Sequence, residues 1–193
     1  DSDSEIALHL YLQHGMRAAD SLRGEFAVLI ADERRKLMIA IRDRFGIKPL
    51  FYAVIDGGVV FASEIKALLA LGVPAVWDAE AAYHDVFLFR SHERTMFAGI
   101  RAVPQGCYAI ARGGEVQVYR YWDWDFPTTE ETAADDRTEA EVVKGFRDVL
   151  GDSVRERLVA DVEVGCYLSG GIDSCAVLGL AQLAMDRPIR AYT

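Results

Sequence analysis

The stretch GCYLSGGIDSCAVLGLAQLA, residues 165–184, changes character twice along its length. A short apolar run is followed by a loop of serine, glycine and one aspartate, and then by an apolar run with helical spacing. We predict a strand at 164–168, a helix from Ser174 to about Met185, and a short strand at 189–192. This order is typical of the start of a parallel α/β sheet.

The loop between the strand and the helix has the composition of an anion site. Gly170 and Gly171 allow a tight turn that presents several backbone N–H groups in one direction. The helix dipole favours a negative charge at the same place, and Ser169 and Ser174 add hydroxyl donors. Asp173 would repel a polyphosphate unless a divalent cation bridged them. We therefore expect a polyphosphate in this loop, with Mg²⁺ held by Asp173.

Two other phosphate loops are excluded by spacing. A Walker loop requires a lysine that the stretch lacks, and adjacent glycines do not fit G-x-G-x-x-G. A purely structural alternative stays open. In that interpretation 169–174 is only a strand-to-helix turn, with Asp173 or Ser174 as the helix N-cap.

Upstream of this region the chain alternates short apolar runs with polar turns. Strand-like runs occupy 26–31, 37–41, 50–55 and 58–62, and their short connections predict antiparallel pairing. Gln105–Trp122 is expected to form a hairpin that turns at Gly113 and Gly114. Helices are predicted at 63–72 and 79–89. The pattern at 6–12 fits a strand as well as a helix, and the flanking residues favour the helix.

Composition changes sharply at 123–137, DWDFPTTEETAADDR, which is acidic and polar. We interpret this stretch as a linker between a domain at 1–122 and a second domain at 138–193. Thr138 and Glu141 form a T-x-x-E capping box that starts a long helix. Since parallel strands need both faces covered, we expect 138–193 to be poorly buried.

Bulk properties exclude several classes of protein. The net charge is −9 and no lysine- or arginine-rich run is present, which argues against nucleic-acid binding. No apolar run has the length of a membrane span. Cys107, Cys166 and Cys175 lie in apolar segments without C-x-x-C spacing, so we expect reduced core residues and a cytoplasmic location.

Several segments resemble the glutamine-hydrolysing asparagine synthetase family. These are the region Leu22–Ala70, with RDRFGIKPLFY (42–52) and FASEIKAL (61–68), then TMFAGIRAVPQGCYAI (95–110), YRYWDWDF (119–126) and VGCYLSGGIDS (164–174). They occur in the order of that family and extend over nearly the whole chain.

The resemblance implies two catalytic domains. The first would be an α+β αββα sandwich of the N-terminal-nucleophile type, which releases ammonia from glutamine. The second would be an α/β ATP-pyrophosphatase domain that activates aspartate as aspartyl-AMP.

Site residues follow from the same family. Asp3, in the S-D-x-E pattern, would bind the α-amino group of glutamine. The pyrophosphate would bind at Ser169, Gly170, Gly171 and Ser174, Mg²⁺ at Asp173, and adenosine along Tyr167 and Leu168. The resemblance is also compatible with a homodimer.

The nucleophilic cysteine of that family lies upstream of Asp1, so we expect this chain to be an internal, inactive piece of a longer enzyme. Two alternative functions remain. One is a relative with another acceptor, such as a β-lactam-synthetase-like or peptide-cyclising enzyme. The other is a non-catalytic, glutaminase-like binding module.

Overall fold

The apolar runs of the first part of the chain form two antiparallel sheets. The structure, a computed structural model, describes residues 3–89 and 91–193. The four-stranded sheet has the order β1-β2-β6-β7, with β1 at Ala27–Asp32, β2 at Leu37–Arg42, β6 at Cys107–Arg112 and β7 at Glu115–Arg120. The three-stranded sheet has the order β4-β3-β5, with β3 at Phe51–Ile55, β4 at Gly58–Ala62 and β5 at Ile100–Ala102. The predicted antiparallel pairing and the hairpin at Gly113 and Gly114 are confirmed.

Four helices accompany these sheets. They are α1 at Asp3–His14, α2 at Ala18–Ser21, α3 at Ile65–Ala70 and α4 at Ala79–Val86, and a 3-10 turn at Gly15–Arg17 joins the first two. The helical interpretation of 6–12 is therefore correct, although the alternating pattern there also fitted a strand.

Successive side chains of a strand point to opposite faces of its sheet, so β2 and β3 each contact two layers of the core. On β2, Ile39 and Ile41 pack with Tyr11 of α1, whereas Ala40 packs with Tyr52 of the other sheet. On β3, the neighbouring Ala53 faces the opposite way and packs with Leu68 of α3 and Ile100. Three core clusters thus lie between helix and sheet, between the two sheets, and between sheet and helix. This is the predicted αββα sandwich.

The connection from β2 to β3 depends on a buried carboxylate. Asp43 is only 1 % exposed, and its side chain accepts hydrogen bonds from the backbone N–H groups of Phe45, Ile47 and Lys48 at 2.9–3.1 Å. Arg42 donates to the carbonyl oxygens of Lys48, Val103 and Gly46 at 2.7–2.9 Å. Because a buried charge is tolerated only when it is hydrogen-bonded, this loop has a fixed conformation.

Helix α4 ends three residues earlier than the predicted boundary at Phe89. Leu88 has φ +60°, the left-handed conformation that ends helices. The N–H groups of Leu88 and Phe89 then donate to the carbonyls of Asp85 and His84. This arrangement satisfies the last carbonyls of the helix and terminates it without a glycine.

The second part of the chain forms a separate unit, since contacts divide the chain into Asp1–Asp125 and Phe126–Thr193. The second unit contains α5 at Thr129–Ala133, α6 at Glu139–Arg157, β8 at Gly165–Tyr167, α7 at Ile172–Leu183 and β9 at Arg190–Tyr192. β8 and β9 pair in parallel, as predicted. The expected capping box of Thr138 and Glu141 begins α6.

Helix α5 lies inside the stretch interpreted as a linker. Thr128 and Glu131 form a second capping box at its start, with the Thr128 N–H donating to Glu131 at 2.7 Å. The T-x-x-E signature was present in the sequence, but the polar composition of the stretch obscured it.

The three cysteines differ in burial, so the expectation that all are core residues is wrong. All three are free thiols, yet only Cys107 is buried, while Cys166 is half-buried and Cys175 is exposed. Burial raises the pKa of the Cys107 thiol. Within the described ranges, no helix combines the length and apolar character needed to cross a membrane.

Burial in the second unit is low, as the sequence led us to expect. Among residues 138–193 only Gly151, Val154 and Ala181 are buried, whereas Phe146 of α6 and Leu183 of α7 are mostly exposed. The parallel pair β8 and β9 thus has little covering.

Replacing Asp43 is expected to destabilise the sandwich more than removing an exposed charged side chain. Asp43→Ala leaves three backbone N–H groups without their acceptor and should lower the free energy of unfolding by about 3 to 5 kcal/mol. Asp43→Asn should cost less, because an amide oxygen still accepts. Denaturation of the 193-residue chain, followed by near-UV circular dichroism, measures both. The exposed Glu33→Ala is the control, and an equal effect of Glu33→Ala and Asp43→Ala would show that the carboxylate is not needed.

Amide hydrogen exchange should distinguish the two units. We expect the amides of 138–193 to exchange faster than those of β2 and β6, because few apolar contacts protect them. Mass-spectrometric exchange on the 193-residue chain measures this, and equally slow exchange in both units would contradict the low burial.

Candidate functional site

The predicted anion loop lies between β8 and α7. The ring of Tyr192 in β9 lies against Gly165 of β8, where a Cβ atom would be only 2.7 Å from the ring. One residue past the strand, the Leu168 N–H donates to the Tyr192 carbonyl at 2.7 Å. The loop therefore starts at a defined point, directly after the paired part of the strand.

The turn into the helix is made by the two glycines. Gly170 has φ +78°, a conformation that other residues adopt only with strain. Gly171 is the N-cap of α7 and provides no side-chain cap, and its carbonyl accepts the first helical bond from Cys175. Asp173 and Ser174, the N-cap residues expected in the structural alternative, are therefore not the N-cap. The helix begins two residues earlier than predicted, and its first N–H groups lie at the loop.

The two serines lie against each other. The hydroxyl oxygens of Ser169 and Ser174 are 3.1 Å apart, and the Ser174 hydroxyl also donates to the Gly171 carbonyl at 3.0 Å. The Gly171 N–H points to the Ser169 oxygen at 3.5 Å. The sequence indicated two hydroxyl donors, but not their pairing across the turn, which depends on where the helix begins.

Asp173 is the second residue of α7 and is exposed. A carboxylate in the first turn interacts favourably with the helix dipole. No group of three or more histidine, cysteine, aspartate or glutamate side chains suited to a metal occurs in the described ranges. A single carboxylate nevertheless fits Mg²⁺, which usually takes one or two carboxylates, phosphate oxygens and water.

Tyr167 and Leu168, predicted to lie along adenosine, immediately precede the loop. The Tyr167 side chain is 90 % exposed and Leu168 is half-buried. The structure thus brings together the seven residues expected at the ATP site in one continuous stretch at the end of β8 and the start of α7.

Asp3, predicted to bind glutamine, is the first residue of α1 in the other unit. Its side chain lies outside the part of the chain that the structure describes, so the predicted role remains a prediction.

Two family models match the chain. Residues 1–122 match the model described as "Glutamine amidotransferase domain", which is more than half of the chain. Residues 145–193 match the model described as "Asparagine synthase". The first match covers both sheets of the sandwich, and the second includes β8, the loop and α7.

Curated relatives extend over almost the whole chain. It is 42 % identical over 180 residues to Amidase chyE of Penicillium rubens, with 93 % of the chain covered. It is 34 % identical over 194 residues to Asparagine synthetase [glutamine-hydrolyzing] 2 of Bacillus subtilis, with 96 % covered. In both comparisons the chain spans 26 % of the relative's length.

Among solved structures, a glutamine phosphoribosylpyrophosphate amidotransferase from B. subtilis, complexed with ADP and GMP, aligns with a TM-score of 0.46 and 19 % identity. The alignment covers 100 % of this chain and 39 % of the other.

The serine pair should contribute to anion binding. In the full-length protein, Ser174→Ala removes one hydroxyl and its bond to Gly171, and we expect inorganic pyrophosphate to bind about 3- to 10-fold more weakly. Isothermal titration calorimetry measures the affinity. Ser153→Ala is the matched control, because the Ser153 hydroxyl also donates to a helix carbonyl, that of Val149 at 2.9 Å. Unchanged binding in Ser174→Ala would contradict an anion site at this loop.

Proposed function

Because the chain belongs to the glutamine-hydrolysing asparagine synthetase family, we propose that the protein transfers the amide nitrogen of glutamine to a carboxylate at the expense of ATP. The chain spans about a quarter of the length of its curated relatives, so the whole reaction is proposed for the full-length protein. The observation that supports this proposal most directly is the loop 169–174, where two glycines, two paired hydroxyls and a helix N-terminus lie together.

The first half-reaction would take place in the sandwich. Glutamine is hydrolysed to glutamate and ammonia, and Asp3 would bind the α-amino group of glutamine through a charge-assisted hydrogen bond. The nucleophile of this family is an N-terminal cysteine, and Cys107 does not have that role. Its thiol is buried between the sheets with a raised pKa, the reverse of what a nucleophilic thiolate requires.

The second half-reaction would use the loop. An acceptor carboxylate attacks the α-phosphorus of ATP, pyrophosphate leaves, and ammonia then displaces AMP from the acyl-AMP to give the amide. Ser169, Ser174 and the N–H groups at the start of α7 would bind the leaving pyrophosphate and stabilise its developing negative charge. Tyr167 and Leu168 would lie along the adenosine.

Asp173 would hold a magnesium ion, which when bound would supply positive charge to offset the negative charge of the phosphates. A helix dipole contributes only about 0.3 to 1 kcal/mol, whereas sub-millimolar binding requires about 4 to 5 kcal/mol. Contacts beyond the helix dipole are therefore needed for useful affinity; the hydroxyl donors and the metal would supply part of them, and the rest must come from elsewhere in the fold.

We propose aspartate as the acceptor, which makes asparagine the product. Identity to the amidases favours a second candidate. The chain is 42 % and 41 % identical to Amidase chyE and Amidase chry2, against 34 % and 35 % to two asparagine synthetases of Bacillus subtilis. In that candidate the same two half-reactions amidate a different carboxylate.

The test is an assay of the full-length protein with Mg-ATP, glutamine and aspartate, in which AMP, pyrophosphate and asparagine are measured together. We expect all three in equal amounts. Asp173→Ala should reduce AMP formation at least 100-fold while glutamate release from glutamine continues, because the two half-reactions use different residues. Asp186→Ala, another exposed acid of the same unit, is the control and should retain activity.

The outcomes separate the candidates. Release of AMP only when another carboxylic acid replaces aspartate would support the amidase-like candidate. Glutamate release without any ATP cleavage, whatever acid is supplied, would overturn the ATP half of the proposal.

A further inference from the structure

A buried tyrosine joins α1 to the end of β1. The Tyr11 side chain is 6 % exposed, and its hydroxyl donates to an Asp32 carboxylate oxygen at 2.6 Å. Arg35 donates to the same hydroxyl at 3.0 Å and to Asp32 at 3.3 Å. Asp32 also accepts from the Arg35 backbone N–H at 3.0 Å. We call these three residues the Tyr11 cluster.

Within the Tyr11 cluster the negative charge of Asp32 is balanced by the positive charge of Arg35. The hydroxyl acts at once as donor and acceptor, and the carboxylate has a cation and two other donors around it. The pKa of Tyr11 is raised, first by burial and then by donation to Asp32, and that of Asp32 is lowered, chiefly by the hydrogen bond from Tyr11. Both shifts favour the neutral tyrosine and the ionised aspartate, so the hydrogen bond persists at neutral pH.

Few residues of α1 are buried against the sheet, and Leu10 packs partly buried on the same core cluster as Tyr11. Of its residues from Ser4 to His14 only Ala7 and Tyr11 are buried, and Ile6, Leu8 and Leu12 are 57 %, 45 % and 69 % exposed. Toward the start of the helix an open groove lies between α1 and β1, lined by Ser4, Ala7 and Leu8 on the helix side. Tyr11 is therefore the buried side chain through which α1 is hydrogen-bonded to the end of β1.

Asp3 is the first residue of the same helix, eight residues before Tyr11, or about 12 Å along the axis. A helix is stiff over two turns, so a tilt at Tyr11 is transmitted to its first residue. A small displacement there is enough to weaken an oriented ionic hydrogen bond.

We propose that the Tyr11 hydroxyl is a positioning group for glutamine binding, which acts through α1 on Asp3. This inference rests on the proposed glutaminase function and extends it to residues far from the substrate. Tyr11, Asp32 and Arg35 touch neither the substrate nor the reacting atoms. Their role is to fix where the amino-group site lies.

The test measures glutaminase kinetics of the full-length protein without ATP or acceptor. Tyr11→Phe retains the ring in the core but removes the hydroxyl, and we expect the KM for glutamine to rise about 3- to 10-fold with kcat within twofold. Tyr11→Phe combined with Asp32→Ala should raise KM no further than the larger single effect, because both changes break the same interaction. Asp32→Asn, which still provides an acceptor, should partly restore KM relative to Asp32→Ala.

Two further variants distinguish a specific role of the Tyr11 hydroxyl from a general loss of stability. Arg35→Met removes a donor whose side chain is 65 % exposed, so folding is preserved, and KM should rise two- to threefold. Tyr108→Phe removes a hydroxyl from the same core cluster, where the ring stacks on Tyr119 rather than on α1, and should leave KM unchanged.

An unchanged KM in Tyr11→Phe, with active wild-type protein, would overturn the positioning role even if the melting temperature fell. A wild-type protein without any glutaminase activity would instead overturn the proposed function, and with it this inference. Equal rises of KM in Tyr11→Phe and Tyr108→Phe would attribute the effect to the core as a whole and contradict a specific role of the hydroxyl.

Discussion

The sandwich depends on the hydrogen bonds that one buried carboxylate, that of Asp43, accepts from the backbone. β2 and β3 are consecutive in sequence but belong to different sheets, so the chain must cross between layers directly after Arg42. At this crossing Asp43 is buried, and an ionised group inside a protein is tolerated only when its oxygens accept several hydrogen bonds. The backbone N–H groups of the following residues provide them. The loop has one conformation because other conformations would leave the carboxylate without partners.

The same crossing connects parts of the chain that are remote in sequence. The Asp43 N–H donates to the carbonyl of Phe26 before β1, and its own carbonyl accepts from Gly106 before β6. Tyr121, after β7, donates to the Arg42 carbonyl at 2.8 Å, and burial raises its pKa to about 12. Strand ends from both halves of the larger sheet therefore meet at one polar cluster, and this cluster fixes the positions of the strands relative to the crossing.

Sequence patterns predicted where the strands and helices lie, but not how the strands are divided between the two sheets. Short continuous apolar runs at 37–41 and 50–55, bounded by polar turns, identify strands that are buried on both faces. The division of these strands between two sheets is set by burial and by the Asp43 cluster, which no local pattern encodes; the resemblance to a known family predicted it. At the start of α7, by contrast, the local pattern itself was misleading. Ser174 and Asp173 are good capping residues, but the turn at Gly170 lets the helix begin earlier.

The two proposed sites differ in how far their geometry depends on the rest of the fold. Hydrogen bonds within 169–174 join residues at most five apart, so six residues determine the loop and the sequence alone locates it. The hydrogen bond between α1 and the end of β1 joins Tyr11 to Asp32, 21 residues away. A tyrosine and an aspartate are each common in many other environments, so neither residue indicates this pairing in the sequence. Such an interaction exists only after sheet and helix have packed. The proposed phosphate loop can therefore be located from the composition of the sequence, whereas the residues proposed to position the glutamine site are recognised only in the folded chain.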